Sequence, residues 1–343
     1  MPVCLALLIT GAALRQIDRA HFAPRRPYAA EAARLIALQR TRANDLTPVL
    51  LLSGQWIQIT GWWMLADHGT LPATVAAAAV AVHFRHLQEI SHAAVHGVLA
   101  RTARTNQLLA EIGAHHPLGL GPLPARRLRH VRDHHPNATL DRDPNLAELR
   151  RAGLRPGTTR AAYALALVHP LTPRGILATV AGLATHLRGT GAWHRAAALA
   201  AVAAAAYTAG GWPALIYGLF IPRLLLYPQL AWMSLLVEHT WFDPEHRTGT
   251  PAHIEAGRCL RLYPRNRALA AVAAATWLPY GDLHHYAHSA HPGLRWNYLP
   301  AVERHLAPPH YTPDGLLLGT DTVARRHHQA LAATTAAPHP EMV

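Results

Sequence analysis

The sequence predicts an all-α integral membrane protein with about four transmembrane helices and a cytoplasmic helical cap. Three observations predict it. Half of the 343 residues are apolar, mostly Ala, Leu and Val. They fall in runs long enough to cross a bilayer, and about 20 residues suffice for that. The 26 histidines gather into a few clusters near the ends of those runs.

Residues 1–44 are expected to form an N-terminal cytoplasmic segment, 45–310 the membrane domain and 311–343 a tail. The start, through Pro27, and the tail after His328 are expected to be loosely ordered. CLALLITGAAL near the start lacks the basic residues that precede a cleaved signal. The first span is Leu46 to Ala66, uncharged between Asp45 and Asp67. Trp62 and Trp63 lie near its end, as aromatic interface anchors do. A second run starts at Leu71 and continues through VAAAAVAV. It turns polar at His83 and Arg85, so its helix must project beyond the lipid. Phe84 to Leu99 contains no proline and can continue that helix. Ala196 to Val237 fits a hairpin turning at Gly210-Gly211. Arg223 within it must snorkel or face the protein interior. Residues 169–187 are expected to be an interfacial helix, and residues 84–195 and 238–310 to make the cap.

The formal charge is +13, and every basic side chain other than histidine is arginine. Arginine richness raises the possibility of nucleic-acid binding. The distribution favours a membrane origin. Eleven arginines and five acidic residues lie between Arg101 and Arg160, directly after the second span. The positive-inside rule places Arg101 and Arg104 in the cytoplasm. An even number of spans then brings all histidine clusters to that face. Cys4 and Cys259 could pair, but nothing requires it, and a reducing compartment fits better.

His92 and His96 are four apart, one face of a helix and the geometry of two ligands. Glu89, a turn earlier, can accept the other ring proton or bind metal itself. His83 and His86 are runners-up on the same helix. His130 and His134 repeat the spacing, with His135 about 100° away on an α-helix and able to reach another metal. Asp143-Pro144 marks a turn with Pro144 near a helix start. His284, His285, His288 and His291 form a third cluster, more imidazoles than one segment needs to supply. His239 follows the last apolar run. The bland readings are amphipathic helix faces and a histidine-rich surface tract. The concurrence of the four elements at one membrane face favours a metal centre. Structural zinc sites favour four ligands, often with cysteine. Eight or nine imidazoles suit two metals of higher coordination, although affinity alone would admit zinc or copper. A metal-dependent membrane scaffold or transporter is the non-enzymatic alternative. A transporter would carry ionisable residues at mid-span, and only Arg223 qualifies clearly.

HAAVHG (92–97), HVRDHH (130–135), EHTWF followed by Arg247-Thr248, and LHHYAHSAHPGLRWNYLP resemble the histidine boxes of the membrane fatty acid desaturase superfamily. That superfamily also contains lipid hydroxylases and carotenoid hydroxylases and ketolases. The acidic DRDP after the second box is similar to bacterial members. The resemblance covers about residues 45–305. The third box departs from the pattern. Aligning Pro292 with the family's proline puts His288 and Ser289 at its usual histidine doublet. His291 could then substitute, or the doublet is His284-His285 with a longer loop.

The resemblance implies a non-haem di-iron oxidoreductase that uses O2 to remove hydrogen from an unactivated carbon. It implies metal ligation by His92, His96, His130, His134, His135, His239, His285 and His288, with His284 and His291 contested. It further implies an acyl lipid or carrier-bound acyl substrate and a separate electron donor, a ferredoxin or cytochrome b5-like protein with its reductase. Arg126, Arg127 and Arg129 form a basic patch that could dock an acidic donor. The expected location is a bacterial inner membrane.

Overall fold

The computed structural model describes residues 1–23, 32–262, 266–317 and 321–333. The described chain is helical, with three isolated β-bridges and no named strand. The helices start with α1 (Pro2–Phe22), α2 (Ala32–Gln39), α3 (Ala43–Ala66), α4 (Thr70–Val95) and α5 (Ala103–Ala110). Next come α6 (Leu123–Arg127), α7 (Pro144–Arg151), α8 (Arg160–Leu167) and α9 (Pro173–His186). The series continues with α10 (Ala192–Leu215), α11 (Tyr227–Val237), α12 (Pro251–Arg258) and α13 (Arg267–Ala275). It closes with α14 (His285–Ala290), α15 (Leu299–Glu303) and α16 (Val323–Ala333). π-Helical segments at Glu111–His115, Leu128–His134, Ile216–Phe220 and Pro222–Leu226 interrupt the α-helices.

Among the described residues, Ala192–Val237 is the helical segment both long and apolar enough to cross a membrane. Only 22% of its most apolar window is buried, so its apolar surface faces outward. A straight helix of its 46 residues would measure about 70 Å. The chain instead breaks at Gly210 (φ −158°, ψ 27°) and Gly211 (φ 61°, ψ −151°). It doubles back there. Leu199, before the break, lies where a Gly119 side chain would be, and Arg223, after it, donates from Nε to Leu118 O at 2.6 Å. The expected turn at Gly210-Gly211 is therefore present. Arg223 faces the interior and satisfies one backbone carbonyl.

α3 and α4, of 24 and 26 residues, are each long enough to pass the ~30 Å hydrocarbon core. They pack on each other and on the hairpin around Leu51, Ile59, Val80, Phe84 and Leu219. Trp63 is buried here and donates Nε1–H to Gly218 O at 2.8 Å. The expectation that it anchors an interface is corrected. Gly218 leaves the space the indole fills, since a Cβ there would lie 2.4 Å from Trp63 Cδ1. Trp62 also turns inward, with Nε1 3.2 Å from His83 Nε2.

The expected loose start is corrected over residues 2–22, which form α1. Glycines explain why it docks on α3. A Cβ on Gly11 would meet Gly54 O at 2.4 Å, and one on Gly61 would meet Cys4 O at 3.2 Å. Small residues let two backbones approach closely. At its other end, Asp18 grips the loop after α14. Its Oδ1 receives Arg295 Nη2 at 2.6 Å, and its Oδ2 receives Asn297 Nδ2 at 3.1 Å.

A second core includes Leu149, Tyr163, Trp241, Leu260 and Leu278. Val323 and Leu331 of α16 belong to it, so the expectation of a loose tail after His328 is corrected as far as Ala333. Residues 334–343 of that tail lie outside the described residues. Asp143 caps α7 by accepting Asn145 N–H at 2.8 Å, with Pro144 in the first turn as the sequence suggests. α9 occupies most of the expected 169–187 helix. Both cysteines are free and buried.

Candidate metal centre

α4 delivers the first two imidazoles. His92 lies in its last turn and His96 is its C-cap. Their Nε2 atoms are 3.2 Å apart. His92 Nε2 also lies 2.7 Å from His130 Nε2, and His130 Nε2 lies 3.2 Å from His135 Nε2. His288, on α14, closes the group, its ring centroid 4.5 Å from His96 and 4.9 Å from His92. Five imidazoles thus meet in one place.

The second histidine box is arranged differently from the α-helical expectation. His130 to His134 lies in a π-helix, and His135 N–H donates to His130 O. In such a turn the hydrogen bond reaches five positions on. His135 is thereby brought to His130 as well, while His134 keeps the expected alignment, its ring stacked beside His130 with centroids 5.2 Å apart. His134 turns toward a second group. Its ring centroid is 5.3 Å from His239, and His239 Nε2 is 3.2 Å from His285 Nε2. The two groups touch, since His285 and His288 have centroids 5.6 Å apart.

The other ring nitrogens point away, toward acceptors. His92 Nδ1 meets Glu89 Oε1 at 2.7 Å, and His134 Nδ1 meets Asp143 Oδ1 at 2.9 Å. His285 Nδ1 lies 3.9 Å from Asp282 Oδ1. A carboxylate holds a ring proton on its own side and leaves the far nitrogen as a bare lone pair. His239 Nδ1 lies 3.4 Å from Cys259 Sγ. Burial, with Glu255 beside it, pushes the Cys259 thiol well above its ordinary pKa. Cys259 therefore stands behind His239 as a neutral thiol.

Burial and neighbouring imidazoles push His96, His130, His135, His239 and His288 well below the usual histidine range. They are neutral at ordinary pH and hold lone pairs rather than charges. His285 is the exception. Burial lowers it, but Asp282 and the nearby Glu238 raise it further, and the net shift is upward.

This arrangement fits a bound cation. His134 Nε2 and His288 Nε2 are buried and have no hydrogen-bond partner. Unpaired lone pairs in a dry site are costly. Several Nε2 atoms also face one another at 2.7–3.2 Å. One ligand atom from each of His92, His96, His130 and His288 falls within a mutual distance of 4.8 Å. Glu238, Asp282 and His285 make another such set, and His239, Glu255 and Cys259 a third.

The remaining candidates lie outside the two groups. His284 turns its Nδ1 to Glu303 Oε2 at 2.6 Å. His291 caps α14 and is half-buried. His83 binds Gln55 Oε1 through Nδ1 at 2.7 Å, and His86 Nε2 binds Ala275 O at 3.0 Å. Ser289 keeps its Oγ 3.3 Å from His285 Nε2. Sequence reasoning missed the backing residues Asp143, Asp282 and Cys259, and it missed His327, whose Nε2 meets His239 O at 3.2 Å. Asp143 had a visible signal in its capping position. Asp282 also had one, three residues before His285, whereas Cys259 and His327 lie 20 and 88 positions from His239 and had none.

A small cleft opens beside the first group. His92, His96 and His288 line it, together with Val98, Leu294 and Trp296. The family model for fatty acid desaturase matches residues 68–317 of this chain. No curated protein matches it.

Proposed function

The chain belongs to the fatty acid desaturase family, and on that premise we propose that it is a di-iron enzyme that introduces a C=C bond into an acyl chain. Family and metal-binding clusters together make it an oxidoreductase associated with membranes. The observation that carries the finer reading is the convergence of imidazole Nε2 atoms in two touching groups, one of them beside a small cleft that Val98, Leu294 and Trp296 help to line.

His92, His96, His130, His135 and His288 would hold one iron, and His134, His239 and His285 the other. When bound, the pair supplies the oxidising power that O2 provides once reduced. The chain's own residues do the rest. Glu89 and Asp143 orient His92 and His134 through Nδ1. Leu294, Trp296 and Val98 offer the alkyl chain an apolar wall and keep water from the reacting carbon. Tyr280, also lining the cleft, has its hydroxyl tied by Gln55 Nε2 at 2.9 Å, which fixes the ring's position.

We place α3, α4 and the two arms of the Ala192–Val237 hairpin as four spans, with the histidines on the cytoplasmic side. Two contacts support one shared polarity. Gly210 abuts Trp63 O near the far end of α3, and Asp45 at its near end binds Arg101 Nε at 2.6 Å. The apolar part of α1, Pro2 to Leu14, is too short to cross alone. Reporter fusions at residues 120, 210 and 270 test this placement, and residues 120 and 270 on opposite sides would refute it.

A separate electron donor, a ferredoxin or cytochrome b5-like protein, would dock on the exposed Arg127 and Arg129. Arg126 does not belong to that surface, since its Nη1 turns in to Ser91 Oγ at 3.0 Å.

Mass spectrometry of lipids from cells with and without the protein tests the reaction. Products lacking two hydrogens support desaturation. Products that gain an oxygen atom would assign hydroxylation or ketolation instead.

A further inference from the structure

The carboxylates behind the two imidazole groups are joined by one buried guanidinium. Arg85 lies on α4, two turns before His92, and its side chain is 4% exposed. Its Nη1 binds Glu89 Oε2 at 2.9 Å, and the other oxygen of Glu89 holds His92. Its Nη2 binds Asp282 Oδ2 at 2.5 Å, and the other oxygen of Asp282 faces His285. Nε donates to Trp277 O at 3.1 Å. Nη2 also meets Ser234 Oγ at 2.9 Å, and that hydroxyl lies 2.7 Å from Asp282 Oδ2 and 3.2 Å from Glu238 Oε1.

The fork geometry matters here. A guanidinium presents donors in a rigid plane and can grip two carboxylates at once, which an ammonium cannot do with the same directionality. One arginine faces three carboxyl groups, those of Glu89, Asp282 and Glu238. The excess of acidic groups in a buried site favours cations nearby. Glu89 belongs to the group that contains His92, and Asp282 to the group that contains His285. A displacement of either carboxylate is therefore transmitted through Arg85 to the other.

We propose that Arg85 is a positioning residue that couples the two metal positions, so that metal ions load as a pair rather than independently. The inference rests on the two-metal reading above.

The test uses the full-length protein in detergent, stripped of metal and titrated anaerobically with Fe(II) and separately with Co(II). Bound metal per chain and the Co(II) absorption bands are the readouts. Wild-type protein is expected to take up two ions in one steep transition. A wild-type protein binding fewer than two would refute the two-metal reading itself, which separates that failure from failure of the coupling. Glu89→Gln, which keeps the size of the side chain, is expected to weaken binding of both ions by roughly 10–100-fold, the usual cost of losing such a backing group. Arg85→Lys is expected to do the same and to make loading stepwise. Combining the two changes should cost little more than either alone, because both break one linkage. A merely structural arginine would lower the melting temperature while leaving metal affinity below that temperature unchanged. The coupling is overturned if Glu89→Gln leaves one ion at wild-type affinity. Glu89→Gln alone decides the question should Arg85→Lys fail to fold.

Discussion

Asp143 Oδ1 lies 2.9 Å from His134 Nδ1, and neither side chain is reached by solvent. The same oxygen accepts Asn145 N–H and so starts α7. One carboxylate thus serves both a helix and an imidazole. Asp143→Asn keeps an oxygen to cap α7, because asparagine caps helices about as well as aspartate, and removes the charge behind the imidazole together with the acceptor that Oδ2 offers Thr139 N–H. The variant is expected to keep its melting temperature within a few degrees and to lose roughly 10–100-fold in metal affinity. Metal titration beside thermal unfolding checks both halves.

The two groups of imidazoles predict an uneven response across the third box. His288→Ala and His285→Ala should each lose bound iron and turnover. His291→Ala should keep both, since His291 is the C-cap residue of α14 and belongs to none of the sets of converging ligand atoms. His169, beside Trp232 and remote from the site, is the control. Iron per chain, measured after anaerobic purification, is the readout. Full iron in His288→Ala would contradict the assignment.

Backbone contact between α1 and α3 predicts a stability effect far from the metal. A Cβ on Gly54 would sit 2.9 Å from Gly11 O and 3.2 Å from Leu14 Cβ, neither of them the far end of a flexible side chain. Gly54→Ala is expected to cost about 1–3 kcal/mol as an overpacked site. Gly182→Ala, on the open face of α9, should cost nothing by crowding, because no atom lies within 4 Å of its added carbon. Thermal unfolding of the two variants in one detergent compares them directly.

Stability of the metal-free protein should fall on acidification. His115 and His327 are buried, and burial pushes each down from 6.5 to about 3. The unfolded chain therefore binds more protons than the folded one below the ordinary histidine pKa. The contribution is complete above about pH 6.5 and is lost progressively as the pH falls toward about 3. The melting temperature is expected to decline between about pH 7 and about pH 5, and these two groups add no slope above that range. The neutral imidazoles of the metal groups act in the same direction, and protonation there competes with metal binding. A melting temperature that rises on acidification over that interval would contradict this reading.

The histidine boxes were legible because each is local. HAAVHG lies on one helix, and its spacing alone brings His92 and His96 together. The turn at Gly210-Gly211 was legible because two glycines interrupt an apolar run. What could not be read depends on distant packing. Trp63 looks like an interface anchor until Gly218, 155 residues away, is seen to make room for it. α1 looks like a loose end until Gly54 and Gly61 accept it. Asp18 and Arg295 are 277 positions apart, and neither has a local reason to be buried. The link from Arg85 to Asp282, 197 positions on, is hidden for the same cause.

The π-turn at Leu128–His134 amounts to one residue more than an α-helix would need to make the same turn. That single residue lets both His134 and His135 lie beside His130. With α-helical winding, His135 would stray. A one-residue deletion within 131–133 would therefore preserve every histidine of the box and still scramble the centre. Two homologues could share all box residues and differ in which of them bind, through a change in length that no comparison of residue types would register.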